Sequence, residues 1–191
     1  MRETPAMRSR RGVSCCPAMA RDDRAHDGHR LTPATLSKKL DTVRRVNGTV
    51  LYLHERDLDD ATVTQVFGDP ALRPLPTVTF LQLQSNPRFT SAGLSAVARV
   101  ASTILPDLEE ISVSYTGATD LSPLSDIRTL REIDAIVEQP QRVAALAALP
   151  RLKRVTLSTG ATPADVDALR SKKSRRIHLL QYTPMPPRFA G

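Results

Sequence analysis

Histidines, cysteines and clustered charges are where chemistry would show first in this 191-residue chain. His26-x-x-His29 stands among Asp22, Asp23 and Asp27, a grouping able to capture a transition metal. A tethered zinc site wants four preorganised ligands, however, and no cysteine lies at a standard spacing from these histidines. Cys15 and Cys16 are adjacent and near several arginines, so acylation would make a two-signal membrane anchor. Two free thiols in a basic arm are the simpler reading. Adjacent cysteines cannot frame a disulfide scaffold, which points to a reducing compartment. Lys172-Lys173-Ser-Arg175-Arg176 has the composition of a phosphate-contacting or nuclear-localisation cluster, or of a soluble end unit. The carboxylates Asp57, Asp59, Asp60, Glu109 and Glu110 lack a sequence neighbour that would enclose them, so they read as solvated turns and faces. Nucleophile-elbow, zinc-protease, phosphate-loop and dinucleotide motifs are all missing. The expectation is a non-catalytic protein without cofactor or metal.

The elements that must carry these residues differ sharply in charge. The formal net charge is +7, with 27 basic against 20 acidic side chains. Residues 1–45 carry +6, residues 46–170 carry −4 and residues 171–191 carry +5. The positive charge thus belongs to the two ends, and the body is mildly acidic. Residues 1–30 show no apolar period and predict a disordered basic arm. Thr32 as N-cap, Pro33 at the first helical position and Leu36, Leu40 and Val43 on one face predict a capping helix over 31–47. Gly48 is expected to end it in a left-handed C-cap. The stretch 183–191, with its prolines, predicts an extended tail. The longest charge-free stretch, Pro74 to Pro87, is too short and too polar to span a bilayer.

Between the ends runs a period. An apolar-x-x-apolar-x-apolar unit recurs as Val78-x-x-Leu81-x-Leu83, Leu108-x-x-Ile111-x-Val113, Leu130-x-x-Ile133-x-Ala135 and Leu152-x-x-Val155-x-Leu157. Weaker copies follow Gly48 (Leu51, Leu53) and Ser174 (Ile177, Leu179), so the units open at 48, 78, 108, 130, 152 and 174. The spacing is 30, 30, 22, 22 and 22 residues. Leu121, Leu124 and Ile127 map one 22-residue period onto Val143, Leu146 and Leu149.

On these residues the stretch 48–182 resembles the leucine-rich repeats, whose pattern is L-x-x-L-x-L-x-x-N/C-x-L. The 30-residue units look like the ribonuclease-inhibitor class, with Gly93 to Leu105 as the convex helix. The 22-residue units look like the internalin class, with Asp120 to Ile127 as the convex segment. The resemblance implies an α/β repeat solenoid: a short right-handed horseshoe with a parallel concave sheet of about six strands, and helices or irregular turns on the convex side. At ~4.8 Å per strand its arc is about 24 Å long. The family's ladder asparagine survives only as Asn86; Arg56, Thr116, Glu138, Gly160 and Tyr182 stand in its place elsewhere, which predicts looser turns there.

In such a fold the non-apolar strand positions line the concavity in columns. One reads Thr49, Thr79, Glu109, Arg131, Lys153, Arg175; the next reads Val50, Phe80, Glu110, Glu132, Arg154, Arg176. A third reads Tyr52, Gln82, Ser112, Asp134, Thr156, His178. These columns predict a groove for a partner protein or peptide, with contact residues Tyr52, Phe80, Gln82, Glu110, Glu132, Asp134, Arg154, Arg176 and His178. Its neutral-aromatic end holds Tyr52 and Phe80, and its cationic end Lys153, Arg154, Arg175 and Arg176. The plainer alternative is a solvated face whose charges pair across strands, Glu109 with Arg131 and Glu132 with Arg154. Nucleic acid held by the basic termini is the second partner class, weakened by the shortage of stacking aromatics. An intracellular location is expected, cytoplasmic first, with nuclear or mitochondrial as alternatives.

Overall fold

A computed structural model describes residues 30–171 and 175–182. The expectations for the arm through residue 29, for Cys15, Cys16, His26 and His29, for Lys172 and Lys173 and for the tail 183–191 fall outside these residues. The chain is an α/β protein built on a six-stranded, all-parallel sheet whose strands lie side by side in chain order. The strands are β1 (Val50–Tyr52), β2 (Phe80–Gln82), β3 (Glu110–Ser112), β4 (Glu132–Ala135), β5 (Arg154–Ser158) and β6 (Arg176–Leu180). Parallel neighbours need a crossover connection, and each one is supplied by a helix or a 3₁₀ turn. These are α2 (Asp60–Phe67), α3 (Ser91–Ile104), the 3₁₀ turns Ser122–Asp126 and Val143–Ala148, and α4 (Pro163–Arg170). Helix α1 (Pro33–Arg45) precedes β1. Among the described residues no helix is long and apolar enough to cross a membrane.

The sheet has one buried and one open face because side chains alternate along a strand. Leu51, Leu81, Ile111, Ile133, Val155 and Ile177 are register partners from β1 to β6 and form a continuous apolar column. That column shares one core with Leu36 and Leu40 of α1, Val63 of α2, Leu94 and Val97 of α3, Leu124, Leu146 and Leu169. Each fully buried leucine is worth about 1.5–3 kcal/mol relative to exposure, so the ladder is the main cohesive element. Cover thins at the last strand. Ile177 is half-buried and Leu179 is exposed, since among the described residues β6 has a strand neighbour on one side alone.

Helix α1 starts as its sequence predicts, with the Thr32 hydroxyl accepting from Thr35 N and the Thr35 hydroxyl reaching back to Thr32 N. Its end is different. Asn47, not Gly48, takes the left-handed conformation, at φ 52°, and no glycine among the described residues has positive φ. Asparagine tolerates that region because its short polar side chain bonds locally. The solvated-turn reading of Asp59 and Asp60 also gives way. Asp59 is buried and caps α2 by accepting from Thr62 N at 2.9 Å, with Arg30 and Arg88 paired to its other oxygen. Asp60 accepts from Thr90 N at 2.7 Å and Gly93 N at 3.0 Å, which fastens α2 to the first turn of α3. A Cβ on Gly93 would stand 2.4 Å from that carboxylate and 2.7 Å from the Phe89 ring, so only glycine allows the approach.

Asn86 is fully buried and joins two successive turns. Its carbonyl oxygen accepts from Arg56 N and Leu58 N, and its amide donates to Leu53 O at 2.8 Å and Leu83 O at 2.7 Å. Where this asparagine is missing, the expected slack is taken up by hydroxyls. Thr116 donates to Val113 O at 2.7 Å, Ser114 accepts from Ile136 N at 2.9 Å and Ser158 donates to Val137 O at 2.5 Å. The turns are therefore satisfied by a shorter side chain at or near the same position.

Two outcomes follow from these anchors. Asn86→Ala strands four backbone groups out of water and is expected to cost about 3 kcal/mol, whereas Thr116→Val costs about 1 kcal/mol. Urea unfolding midpoints at unchanged slope measure both. The hydrogen bond from Thr62 N leads in holding the Asp59 carboxyl at about 2, below its ordinary 3.8, with the Arg30 guanidinium adding to it against the cost of burial. A depressed folded-state value means that ionised Asp59 stabilises the protein above about pH 4, and that this is lost between about pH 4 and 2. Asp59→Asn should flatten stability against pH across that window in acid titrations followed by circular dichroism.

Candidate binding face

The open face carries the even-numbered strand residues, and its columns are set by register. Val50, Phe80, Glu110, Glu132, Arg154 and Arg176 are successive partners, as are Tyr52, Gln82, Ser112, Asp134, Thr156 and His178. A groove of about 560 Å³ crosses this face from β2 to β6. Six of the nine sequence-derived contact residues meet in it: Phe80, Glu110, Glu132, Asp134, Arg154 and His178. Gln82 lies in the second column between Tyr52 and Ser112 and does not line the groove. Arg176 lines a neighbouring depression at the start of β5 and β6, with Arg131, Arg151 and Lys153.

Tyr52 is set apart from Phe80. It sits one column over, meets His54 edge-on at 5.8 Å between ring centroids and lines a different cavity, so the expected aromatic end is divided. Arg175 is a second correction. It is 8% exposed, and its guanidinium donates to Ala147 O at 2.8 Å and Leu149 O at 2.7 Å. It closes the carbonyl end of the 3₁₀ turn Val143–Ala148 and takes no part in the face. Burial lowers its pKa, and no carboxylate among the described residues answers it.

The charges in and beside the groove are partly spent on each other. Arg131 meets Glu109 at 3.1 Å and Arg154 pairs with Glu132, as the cross-strand spacing predicts. Pairs this exposed contribute roughly 0–1 kcal/mol. The centre is different. Ser112 is buried, and its single hydroxyl hydrogen faces two acceptors, Gln84 Oε1 at 3.1 Å and Asp134 Oδ2 at 3.2 Å. Asp134 Oδ1 is buried without a donor among the described residues. Burial raises the pKa of Glu110, and the Glu132 and Glu109 carboxylates add to the rise against the opposing charge of Arg154. The middle of the groove thus holds one buried acceptor unmatched among the described residues. Among the described residues no group of three or more His, Cys, Asp or Glu is placed to hold a metal ion.

Gln84, Ile136 and Leu180 also line the groove and were not among the expected contacts. They occupy a further even-numbered column, as the Ser158–Leu180 pairing shows, so carrying the alternation one residue past the apolar unit finds them. No protein-family model matches the chain, and no curated protein matches it.

Removing the crowded charge tests the electrostatics of the face. The raised folded-state value of Glu110 means that its ionisation weakens the fold as pH rises through that value. Glu110→Gln should therefore raise the melting temperature at pH 7 and leave it unchanged at pH 3, where both side chains are neutral. Paired thermal melts at the two pH values measure this.

Proposed function

We propose that the chain is a leucine-rich-repeat protein, a short solenoid whose open sheet is the concave face, and that this face holds a partner protein or peptide without catalysis. The in-register apolar column, the Asn86 bridge between turns and the one-after-another strand order support the repeat reading. The observation that carries the binding reading is Asp134 Oδ1 at the groove centre, buried without a donor among the described residues. Asp134 Oδ1, Gln84 and Glu110 form an acceptor-rich floor flanked by Phe80 and Leu180. A partner that delivers an N–H donor from a lysine, arginine or amide side chain, and apolar area beside it, would satisfy Asp134 Oδ1. A buried acceptor without a donor costs about 1–3 kcal/mol, and binding would recover that for Asp134 Oδ1. The face then discriminates by hydrogen bonding at its centre and by shape at its ends.

A photo-reactive residue in place of Thr156, inside the groove, should capture the partner from native extract, whereas one in place of Ser102, on the exposed side of α3, should not. With the captured partner in hand, Asp134→Ala and Phe80→Ala are each expected to weaken its affinity by about tenfold or more, with melting temperatures little changed. Calorimetric titration measures the affinities. Equal affinities for these two variants and the unaltered protein would remove the face as the binding site.

A further inference from the structure

We infer that the cleft between α1 and the outer edge of β1 is a second binding site, which takes an extended acidic and apolar segment of a partner as an added strand. This site stands apart from the groove described above. Its volume is about 790 Å³, in the range of ordinary ligand clefts.

The strand edge is available. Odd-numbered residues of this segment bond to β2, as Thr49 O and Leu53 N do, so Val50 and Tyr52 turn their N–H and C=O groups outward. β1 is the end strand, and those outward groups meet no partner among the described residues. An unpaired edge of this kind is a template for strand addition. Apolar surface lies beside it. Val46 is 64% exposed and Tyr52 36% exposed, and both line the cleft, together with Val43 of α1.

Charge selects the occupant. The lining has no carboxylate; of its cations Arg30 is paired with Asp59, while Lys38 and Arg56 have no ion pair among the described residues and set the sign of the rim. The nearby acids are engaged: Asp41 with Arg44, and Asp59 with Arg30, Arg88 and the first turn of α2. Residues 1–29 of the chain itself carry six basic and four acidic side chains, a poorer match to a cationic rim than an acidic partner. A second copy offering its other edge strand, β6, would bring Arg176 and His178 to the same cations. An acidic segment with alternating apolar side chains satisfies the rim, the apolar wall and the strand edge together.

The test uses the full chain and three fluorescent peptides followed by anisotropy: alternating Glu and Val, alternating Lys and Val, and the Glu–Val peptide N-methylated at alternate residues. The Glu–Val peptide is expected to bind, and the other two to bind at least about tenfold more weakly. Lys38→Glu and Val46→Asp, both exposed positions, are expected to weaken Glu–Val binding by a similar factor. Asp134→Ala, in the groove of the open face, should leave it unchanged. Equal binding of the Glu–Val and N-methylated peptides overturns the proposal with the unaltered protein alone. So does unchanged affinity in both cleft variants, or a matching loss with Asp134→Ala, which would move the peptide to the other site. A photo-reactive residue at position 46 should cross-link the added peptide; a link to residues 1–29, or to a second copy, would assign the cleft to that occupant and overturn the proposal.

Discussion

Everything else in this molecule depends on the register of one apolar column. Leu51, Leu81, Ile111, Ile133, Val155 and Ile177 stand opposite one another, and each covers its neighbour from water. A slip of one residue in any strand would turn these side chains to the open face and bring the charged columns into the core. Keeping this register therefore fixes the core and orders the polar face at the same time. The helices add a wall on one side of the column. Asp59, Asp60 and Asn86 hold that wall and the turns in place by satisfying backbone groups that packing has taken out of water.

Polar groups in this chain divide by what surrounds them. At helix starts and turns, Thr32, Asp59, Asp60 and Asn86 match donors to acceptors and serve stability. On the open face the match is incomplete at Asp134 Oδ1, which is buried without a donor among the described residues. An exposed face would lose little by pairing its charges across strands, as Arg131 and Arg154 do. The shortage at the centre is a cost to the isolated protein, and a partner that supplies donors would relieve it. A similar contrast marks the edge of β1, where the outward backbone groups of Val50 and Tyr52 meet no partner among the described residues and Val46 is exposed.

The sequence was most informative where one residue type repeats at one spacing. The period of 30 and 22 residues located all six strands, the helix over Gly93 to Leu105 and the columns of the face. Thr32 and Pro33 located the start of α1 for a local reason, since capping involves residues three apart. The signal failed for Arg175. Its place in the column was right, yet its long side chain turned inward to carbonyls of the preceding crossover. Spacing gives a side chain's address and not its direction when the chain is flexible enough to reach another partner. Tyr52 was misjudged as a companion of Phe80 for a related reason, because it lies in the next column and turns to His54.

The amino-acid sequence by itself determined the order of elements, the buried column and the sign of charge along the face, because each follows from periodic patterning within one strand or one turn. Tertiary structure alone decided which polar groups are satisfied. Asp60 meets Gly93 across 33 residues, Asn86 meets Leu53 across the same separation, and Asp134 Oδ1 meets no donor among the described residues. Hydrogen bonds depend on distances of a few tenths of an ångström between segments far apart in the chain. No local pattern encodes those distances, and both binding proposals rest on them.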